Sequence, residues 1–518
     1  MLVLYPASIH AGQVSTREAV ENIYYYFDLL VSDNLESARN LWTESVIERS
    51  ERFGIEYDDI PIKLDCSSPV MQDLPTLRDQ LYRSIRKMSG LDGSTEYFTG
   101  EYSATLNNQK VTHLYYTYYD GDYFWLTHAQ DYYGRDWTVI ESKYFRIRCH
   151  PDRIAYLNPT TLAEADHFVS DMAESLGMLR ADLKTFQEKK IEYYYCPSDS
   201  VVKLITGFRT RGMLDLPTND VISAYFPHFH EVAHLLINVR LKQLPLYTLP
   251  LLQEGLAVYL GGRWGKSTET LNYLAGFLQD HGLVEIDSII TMELFKQMAT
   301  ADMSYPVAGL FTAYVVDAIG MDKYLELYRS LSGTNSTLSK MDVEAVHKIF
   351  CETLEEPDWL SVMQSYGTYA ERQLGKESAF APGGTVQGRK LLETDDLVVT
   401  EDKEWVSILV TGGGQQPPSG DLFFGLNEEL VGQHSLLFDE QHSDSKPLIG
   451  YRYCIRFDAN EAGLYDFATN QLLGKFINGL TPSDEYFFAE GSGIALKFRK
   501  ELSGKVVPKK GDFELILK

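Results

Sequence analysis

Near its middle the chain carries the motif His230-Glu231-Val232-Ala233-His234. The two histidines stand four residues apart, so on a helix they project from one face about one turn apart. At that spacing both imidazoles can reach one tetrahedral Zn²⁺, while the glutamate between them points toward a bound water. Chance also produces such five-residue patterns, and ordinary core or surface histidines are the alternative interpretation.

The surrounding residues predict that the motif lies on a helix over residues 225–241. Pro227 suits the first turn, because that turn leaves its N–H groups without helical partners. Leu244-Pro245 predicts the end of the helix. Apolar residues fill the positions around the histidines, at Phe229, Val232, Ala233, Leu236 and Ile237.

A second short helix, predicted over residues 250–260, supplies a candidate third ligand. Pro250 stands at its start and Gly261-Gly262 follow it, as is typical of helix ends. Its only charged side chain is Glu254, and burying a lone carboxylate is costly unless it is paired or bound to a metal. Two histidines and one glutamate leave a fourth zinc position for water, which is the arrangement of catalytic zinc sites.

H-E-x-x-H followed 20 residues later by E-G-x-A resembles the gluzincin branch of metallopeptidases. Residues 144–378 resemble a peptidase MA-like domain, a relative of the aminopeptidase N family. The resemblance implies that His230, His234 and Glu254 bind one Zn²⁺ per chain. It also implies that Glu231 is the general base that activates a zinc-bound water for peptide-bond hydrolysis.

A downstream tyrosine and a third histidine are further candidates. The segment that begins Tyr305-Pro306, before a helix predicted over residues 309–319, is similar to the part of that family in which a tyrosine stabilises the oxyanion. Because the chain has 34 tyrosines, an ordinary packed tyrosine is the alternative. His228 is expected near the site rather than among the ligands.

One departure from the family bears on specificity. Aminopeptidases of that family carry a G-x-M-E-N segment whose glutamate binds the free amine of the substrate. The corresponding residues 212–220 do not match it. We therefore expect an endopeptidase, or a peptidase of another preference, rather than an aminopeptidase.

The fold class predicted for these 518 residues is multidomain α+β. Helical periodicity followed by aromatic strand patterns predicts an α+β domain over residues 1–143. The turn signals Asn107-Asn108 and Asp120-Gly121 predict hairpins there. This architecture is similar to the nuclear-transport-factor-2-like fold, although packed aromatic strands are expected more than a ligand-binding cone.

A mainly helical, zincin-type peptidase domain is predicted next, over residues 144–378, with short strands at 191–195 and 221–225. Ala381-Pro382-Gly383-Gly384 indicates a linker. Short strands between turn residues then predict an all-β, sandwich-like domain over residues 385–518.

Composition limits the partners. Asp and Glu outnumber Lys and Arg by 73 to 47, a formal charge of −26, so nucleic acid and anionic lipid surfaces are disfavoured. A peptide or protein substrate is expected, with no membrane span and an oligomeric state that the sequence does not specify. Five cysteines without C-x-x-C spacing make no metal site, but they leave one or two disulfides open. The acidic surface and the flanking β-domain favour secretion or periplasmic export by association.

Three functions remain open at this point. The leading hypothesis is a zinc metallopeptidase. The alternative is a catalytically inactive, peptidase-like binding or adhesion protein with a vestigial metal site. A zinc hydrolase acting on a non-peptide bond is the third.

Overall fold

The computed structural model describes residues 16–82, 84–106, 108–157, 159–262, 268, 271–272, 275–276, 279, 284–297 and 301–375, and the backbone of ten strands between residues 389 and 517. The described chain is mixed α/β. Apart from residues 268–279, its helices are α1 (Thr16–Val31), α2 (Leu35–Arg39), α3 (Glu44–Glu51), α4 (Pro69–Gln72), α5 (Leu74–Leu77), α6 (Ala129–Tyr133), α7 (Pro159–Ser175), α8 (Arg180–Lys189), α9 (Asp199–Thr206), α10 (Phe229–Leu241), α11 (Pro250–Gly261), α12 (Met292–Gln297), α13 (Ala301–Ile319), α14 (Met321–Ser330), α15 (Asn335–Leu338), α16 (Val343–Leu354) and α17 (Trp359–Gly375).

The strands up to residue 375 are β1 (Glu56–Tyr57), β2 (Ile85–Gly90), β3 (Tyr97–Leu106), β4 (Gln109–Tyr119), β5 (Phe124–Thr127), β6 (Thr138–Glu141), β7 (Phe145–Cys149), β8 (Ile191–Tyr195), β9 (Gly212–Asp215), β10 (Asp220–Ser223), β11 (Gln243–Leu244), β12 (Tyr247–Thr248) and β13 (Ser332–Gly333). Short 3₁₀ turns occur at Lys63–Asp65, Arg78–Gln80, Leu91–Gly93, Pro151–Tyr156 and Ile286–Ser288.

By their internal contacts these elements form two compact units. The first comprises Met1–Ile154, Arg180–Ser223 and Leu241–Leu246, and the second comprises Ala155–Leu179, Ala224–Arg240 and Tyr247–Lys518. The three-domain division drawn from the sequence stays a prediction.

The first unit contains an antiparallel sheet in the order β2-β3-β4-β5. β3 pairs with β4 and β4 pairs with β5 in antiparallel register, so both predicted hairpins are confirmed. Helix α1 packs on this sheet, and its Phe27 ring lies 5.5 Å from that of Tyr115 and 5.9 Å from that of Tyr102. Because these rings are buried, this face of the sheet is a packed core.

A second sheet of the first unit runs in the order β6-β7-β8-β10-β9, with β7, β8 and β10 parallel. Every residue of β8 is buried, as expected for the centre of a parallel sheet. The strand predicted at 191–195 is therefore confirmed. The sequence did not predict β9, a four-residue edge strand that pairs only with β10.

Buried charges join helices and strands of the first unit. Arg49 makes two hydrogen bonds to Asp131, of 2.6 and 2.9 Å. Arg52 donates to Asp220 Oδ1 at 2.6 Å, and Arg49 Nε lies 3.4 Å from Asp220 Oδ2. We call these four residues the arginine–aspartate cluster.

In the second unit, close packing between α11 and α13 requires a glycine. A Cβ at Gly255 would lie only 2.6 Å from the Ala308 carbonyl oxygen. The Tyr324 hydroxyl of α14 donates to Leu252 O at 3.3 Å and lies 3.0 Å from Thr312 Oγ1. These contacts pack α13 and α14 against α11, the helix that carries Glu254.

After residue 375, the described strands form two sheets. One runs β14-β15-β16-β23-β22-β21 and the other β17-β18-β19-β20. The predicted linker at 381–384 lies outside the described residues. The described strands of this part of the chain are β14 (Arg389–Thr394), β15 (Leu397–Glu401), β16 (Val406–Val410), β17 (Gly420–Phe424), β18 (Tyr453–Phe457), β19 (Glu461–Asp466), β20 (Gln471–Ile477), β21 (Tyr486–Phe488), β22 (Ile494–Phe498) and β23 (Phe513–Leu517). The all-β, sandwich-like domain over residues 385–518 stays a prediction.

The structure bears on two expectations drawn from composition, which concern disulfides and membrane-spanning helices. Cys66, Cys149, Cys196 and Cys351 are free thiols, so the disulfides left open by the sequence do not form among these four. In the part of the chain that the structure describes, no helix combines the length and apolar character needed to cross a membrane.

Candidate metal centre

The helix that carries the motif begins later than predicted. Helix α10 starts at Phe229 instead of residue 225, and its first helical hydrogen bond runs from Val232 N–H to His228 O (3.1 Å). Pro227 therefore precedes the helix and is not part of its first turn. The physical reason is that a residue before proline disfavours helical dihedral angles, so Phe226 cannot continue a helix into Pro227.

Three side chains that the sequence selected as ligands come together in the second unit. His230 Nε2 lies 3.1 Å from Glu254 Oε2, and His234 Nε2 lies 3.3 Å from the same oxygen. One ligand atom from each residue falls within 4.8 Å of the other two. Among the described residues, these three are the group of His, Cys, Asp or Glu side chains whose ligand atoms lie close enough together to hold one metal ion.

The ring of His230 is held by a backbone carbonyl. Its Nδ1 lies 3.3 Å from Gly262 O, and the residue is only 3% exposed. In the neutral imidazole this contact favours the proton on Nδ1, which leaves the Nε2 lone pair directed at the ligand cluster. The His234 ring stands nearly perpendicular to that of His230, at 88° and 4.8 Å between ring centres.

The electrostatics of Glu254 follow from its two histidine neighbours. Burial of the carboxyl group acts to raise its pKa. When the imidazoles are protonated, the charge of His234 and the hydrogen bonds from both histidines act in the other direction and prevail, so the pKa of Glu254 lies below its ordinary value. The carboxylate is thus available as an anionic ligand.

Glu231 and His228 lie side by side at the start of α10. Glu231 Oε1 is 4.0 Å from His228 Nε2, and the His228 ring lies 4.2 Å from that of Tyr225. The His228 and His230 ring centres are 6.3 Å apart, and His228 is not in the ligand group. His228 therefore faces the predicted general base, in keeping with its expected place near the ligands.

Tyr305 lies on a longer helix than predicted. Helix α13 begins at Ala301, so Tyr305 and Pro306 are inside it, whereas the sequence predicted a helix from residue 309. A proline within a helix removes one backbone donor but leaves the hydrogen bonds of the other turns in place. The Tyr305 ring is 5.8 Å from that of His230 and 5.7 Å from that of Phe295, so the structure brings this tyrosine to the edge of the ligand cluster.

Two glycines of the site were not identified as such from the sequence. Gly255 allows the close approach of α11 to α13, and Gly262 supplies the carbonyl that contacts His230. Both were visible in the sequence, as the glycine of E-G-x-A and as a helix stop. Their contacts required the tertiary structure, because they join residues 30 or more positions apart or on different helices.

Residues 212–220 comprise β9, the turn that follows it and the first residue of β10, all in the first unit. Their carboxylates are engaged there, since Asp215 Oδ2 accepts hydrogen bonds from Thr218 and Gln130, and Asp220 pairs with the arginines of the arginine–aspartate cluster. Neither acid is left without a hydrogen-bonding partner.

Comparison of the chain with models of known protein families, with curated proteins and with solved structures finds no match. The site itself therefore defines the class: a mixed α/β protein in which two histidines of one helix and a glutamate of the next converge.

Proposed function

We propose that this chain is a zinc-dependent metallopeptidase of the gluzincin type, and an endopeptidase more than an aminopeptidase. One observation carries the proposal: the ligand atoms of His230, His234 and Glu254 lie within 4.8 Å of one another. Two imidazoles and one carboxylate are the donor set of catalytic zinc sites that keep a position open for water.

The donor distances fit zinc. With ligands about 2.0–2.1 Å from a tetrahedral Zn²⁺, neighbouring ligand atoms stand about 3.3 Å apart. Glu254 Oε2 lies 3.1 and 3.3 Å from the two histidine nitrogens. These two separations match two edges of such a tetrahedron. Glu254 also has no Lys or Arg within 4.0 Å among the described residues, so no fixed cation competes for its charge.

The remaining side chains have defined roles in this proposal. When bound, Zn²⁺ supplies Lewis-acid chemistry by polarising the substrate carbonyl and acidifying water. The Glu231 carboxylate takes the proton of the attacking water and returns it to the leaving amine. The Tyr305 hydroxyl donates a hydrogen bond to the oxyanion.

The preference for internal peptide bonds rests on residues 212–220. That stretch lacks the G-x-M-E-N pattern, and its two aspartates hydrogen-bond within the first unit. A side chain that would bind the free amine of a substrate is therefore missing from the place where the family carries one.

The test is metal content combined with turnover. Purified chain should contain one zinc per molecule by plasma emission, and it should cleave members of a peptide library, with cleavage stopped by phenanthroline. Glu231→Gln should keep the zinc and lower kcat by about 10²–10⁴-fold, because only the proton acceptor is lost. Glu326→Gln, an exposed substitution on α14, is the control and should leave both unchanged. Full cleavage by the Glu231 variant would contradict the role of Glu231 as the general base.

The alternative is an inactive, peptidase-like binding or adhesion protein. The same distances support this alternative. The separations of 3.1 and 3.3 Å between the histidine Nε2 atoms and Glu254 Oε2 are also typical of hydrogen bonds from imidazole N–H groups to a carboxylate. Absence of zinc after growth and dialysis in zinc-containing buffer, with no cleaved peptide, would favour it. Stoichiometric zinc with hydrolysis of esters but not of peptides would favour the non-peptide hydrolase.

A further inference from the structure

The first unit contains a cavity of about 590 Å³, far along the sequence from the metal ligands. It lies between α2, the end of α3, β1 and the 3₁₀ turn at Lys63–Asp65. Its wall is largely apolar and includes Leu35, Ile55, Tyr57 and Ile60. A volume of this size accommodates a small organic molecule.

One amine lines this wall. Lys63 Nζ donates a hydrogen bond to Ser50 O at 2.8 Å and lies 5.9 Å from the centre of the Tyr57 ring. Ser50 and Tyr57 also line the cavity, so the amine lies against it. Among the described residues no carboxylate lies within 4.0 Å of Lys63 Nζ, whereas most buried lysines are paired.

The surroundings keep this amine partly uncharged. Burial lowers the pKa of Lys63 to about 7. Of the charged and titratable neighbours, Cys66, Asp215 and Glu51 act to raise it and Arg52 acts to lower it, all by smaller amounts than burial. A lysine with such a pKa is a nucleophile at neutral pH, because about half of it carries a free lone pair.

The opening of the cavity selects against anions. Glu36 and Glu56 line it and are exposed, while Arg39 is already paired with Glu51. The rim is therefore net negative, on a chain whose formal charge is −26. Carboxylates and phosphates are repelled, and an uncharged molecule with an apolar body fits the wall.

We propose that this cavity binds small uncharged aldehydes or ketones and that Lys63 forms an imine with them. The amine lone pair attacks the carbonyl carbon and the carbonyl oxygen takes up a proton. The carbinolamine then loses water, so that R–CHO and H₂N–Lys63 give R–CH=N–Lys63 and H₂O. No oxidant or reductant enters the step.

Reductive trapping tests the proposal. The full chain is incubated with propanal and cyanoborohydride, and each lysine is followed by peptide mass spectrometry between pH 6 and 10. Lys184 and Lys348, whose side chains are 72% and 77% exposed, are internal standards. At pH 7 an ordinary lysine is neutral in only about one molecule in several thousand, so Lys63 should be labelled at least about tenfold faster than both.

Two further measurements use a charged aldehyde and a variant of Lys63. Glyoxylate is an aldehyde that carries a carboxylate. Relative to Lys184 labelled by the same reagent, Lys63 should react with glyoxylate at least about fivefold more slowly than with propanal, because the exposed glutamates that line the cavity repel the carboxylate. Lys63→Arg keeps a donor for Ser50 O and should remove only the fast-labelled site. Labelling of Lys63 by propanal no faster than that of Lys184 at pH 7 overturns the proposal. An equal Lys63-to-Lys184 ratio with glyoxylate and with propanal overturns the preference for uncharged compounds.

Discussion

The candidate metal centre and the arginine–aspartate cluster both contain buried carboxylates, but these carboxylates contact different kinds of side chain. In the first unit, Asp131 and Asp220 pair with guanidinium groups, which stay charged at every accessible pH. In the second unit, Glu254 pairs only with two imidazoles among the described residues. An imidazole can exchange its proton for a metal ion, whereas a guanidinium cannot. The same carboxylate chemistry therefore supports structure in one unit and, under the proposed function, metal binding in the other.

The largest effect is expected from Glu254→Gln. Losing one of three protein ligands should weaken zinc binding by about 10²–10³-fold, because each ligand carries a share of the metal-binding free energy. Zinc affinity measured by competition with a chelator checks this, with Glu326→Gln as the control. Unchanged affinity would mean that Glu254 is not a ligand and that the contrast between the two regions fails.

Asp131→Asn probes the other region. It removes the charge that faces Arg49 and should lower the free energy of unfolding by about 3 kcal/mol, because a buried guanidinium loses its main partner. Zinc affinity should not change. Urea denaturation measures the effect, and Glu188→Gln, which breaks an exposed i,i+4 pair with Lys184, should cost less than about 0.5 kcal/mol. Equal losses in the free energy of unfolding for the two variants would contradict the structural role given to the Arg49–Asp131 pair.

Asp65 offers a third kind of buried carboxylate, held by hydroxyl groups. Tyr26 and Tyr115 donate to it at 3.1 and 3.0 Å, and burial raises the pKa of Asp65 to about 7. His113 Nε2 is 3.9 Å from Asp65, and burial lowers the pKa of His113 to about 4, so this imidazole is neutral near pH 7 and provides no cation.

The effect of Asp65 on the pH dependence of stability depends on which state of the chain binds its proton. Between pH 4 and 7 the folded chain holds the Asp65 proton and the unfolded chain releases it, so this group destabilises the fold as the pH rises. Its contribution to the free energy of unfolding should fall by about 2 kcal/mol from pH 5 to pH 7. Asp65→Asn still accepts both tyrosine hydrogen bonds and should remove that slope. Parallel pH profiles for wild type and variant in urea titrations would refute this.

The smallest effect is expected from Gly262→Ala. Gly262 has φ 62° and ψ −161°, which side chains disfavour, so alanine should displace the carbonyl that contacts His230. Zinc affinity should fall by about tenfold, as for other outer-shell contacts. Gly320→Ala is the matched control, since Gly320 also has positive φ (81°) but has open space around it. An equal loss of zinc in both variants would point to general strain.

Local sequence signals predicted several elements well. Three local signals act through neighbouring residues, so they can be interpreted without the fold: the isoleucine and tyrosines at 191–195, the turn residues of the β3–β4–β5 meander, and the proline and glycine at the ends of α11. The predicted start of α10 at residue 225 was wrong because Phe226 precedes a proline and disfavours helical angles. The predicted start of the later helix at residue 309 was wrong because the hydrogen bonds of the other turns continue α13 through Pro306. Strand β9 was missed for a related reason, since its pairing depends on β10.

The sequence by itself determined which residues are candidates for a metal site. The spacing of His230 and His234 puts them on one helical face, and Glu254 is the only charge of α11. Tertiary structure decided that these residues meet, because the separation between His234 and Glu254 along the chain says nothing about their distance in space. It also decided the contact from Gly262 to His230, the place of Tyr305 and the cavity at Lys63. Each of these depends on how helices and turns pack, and packing is a property of the whole fold.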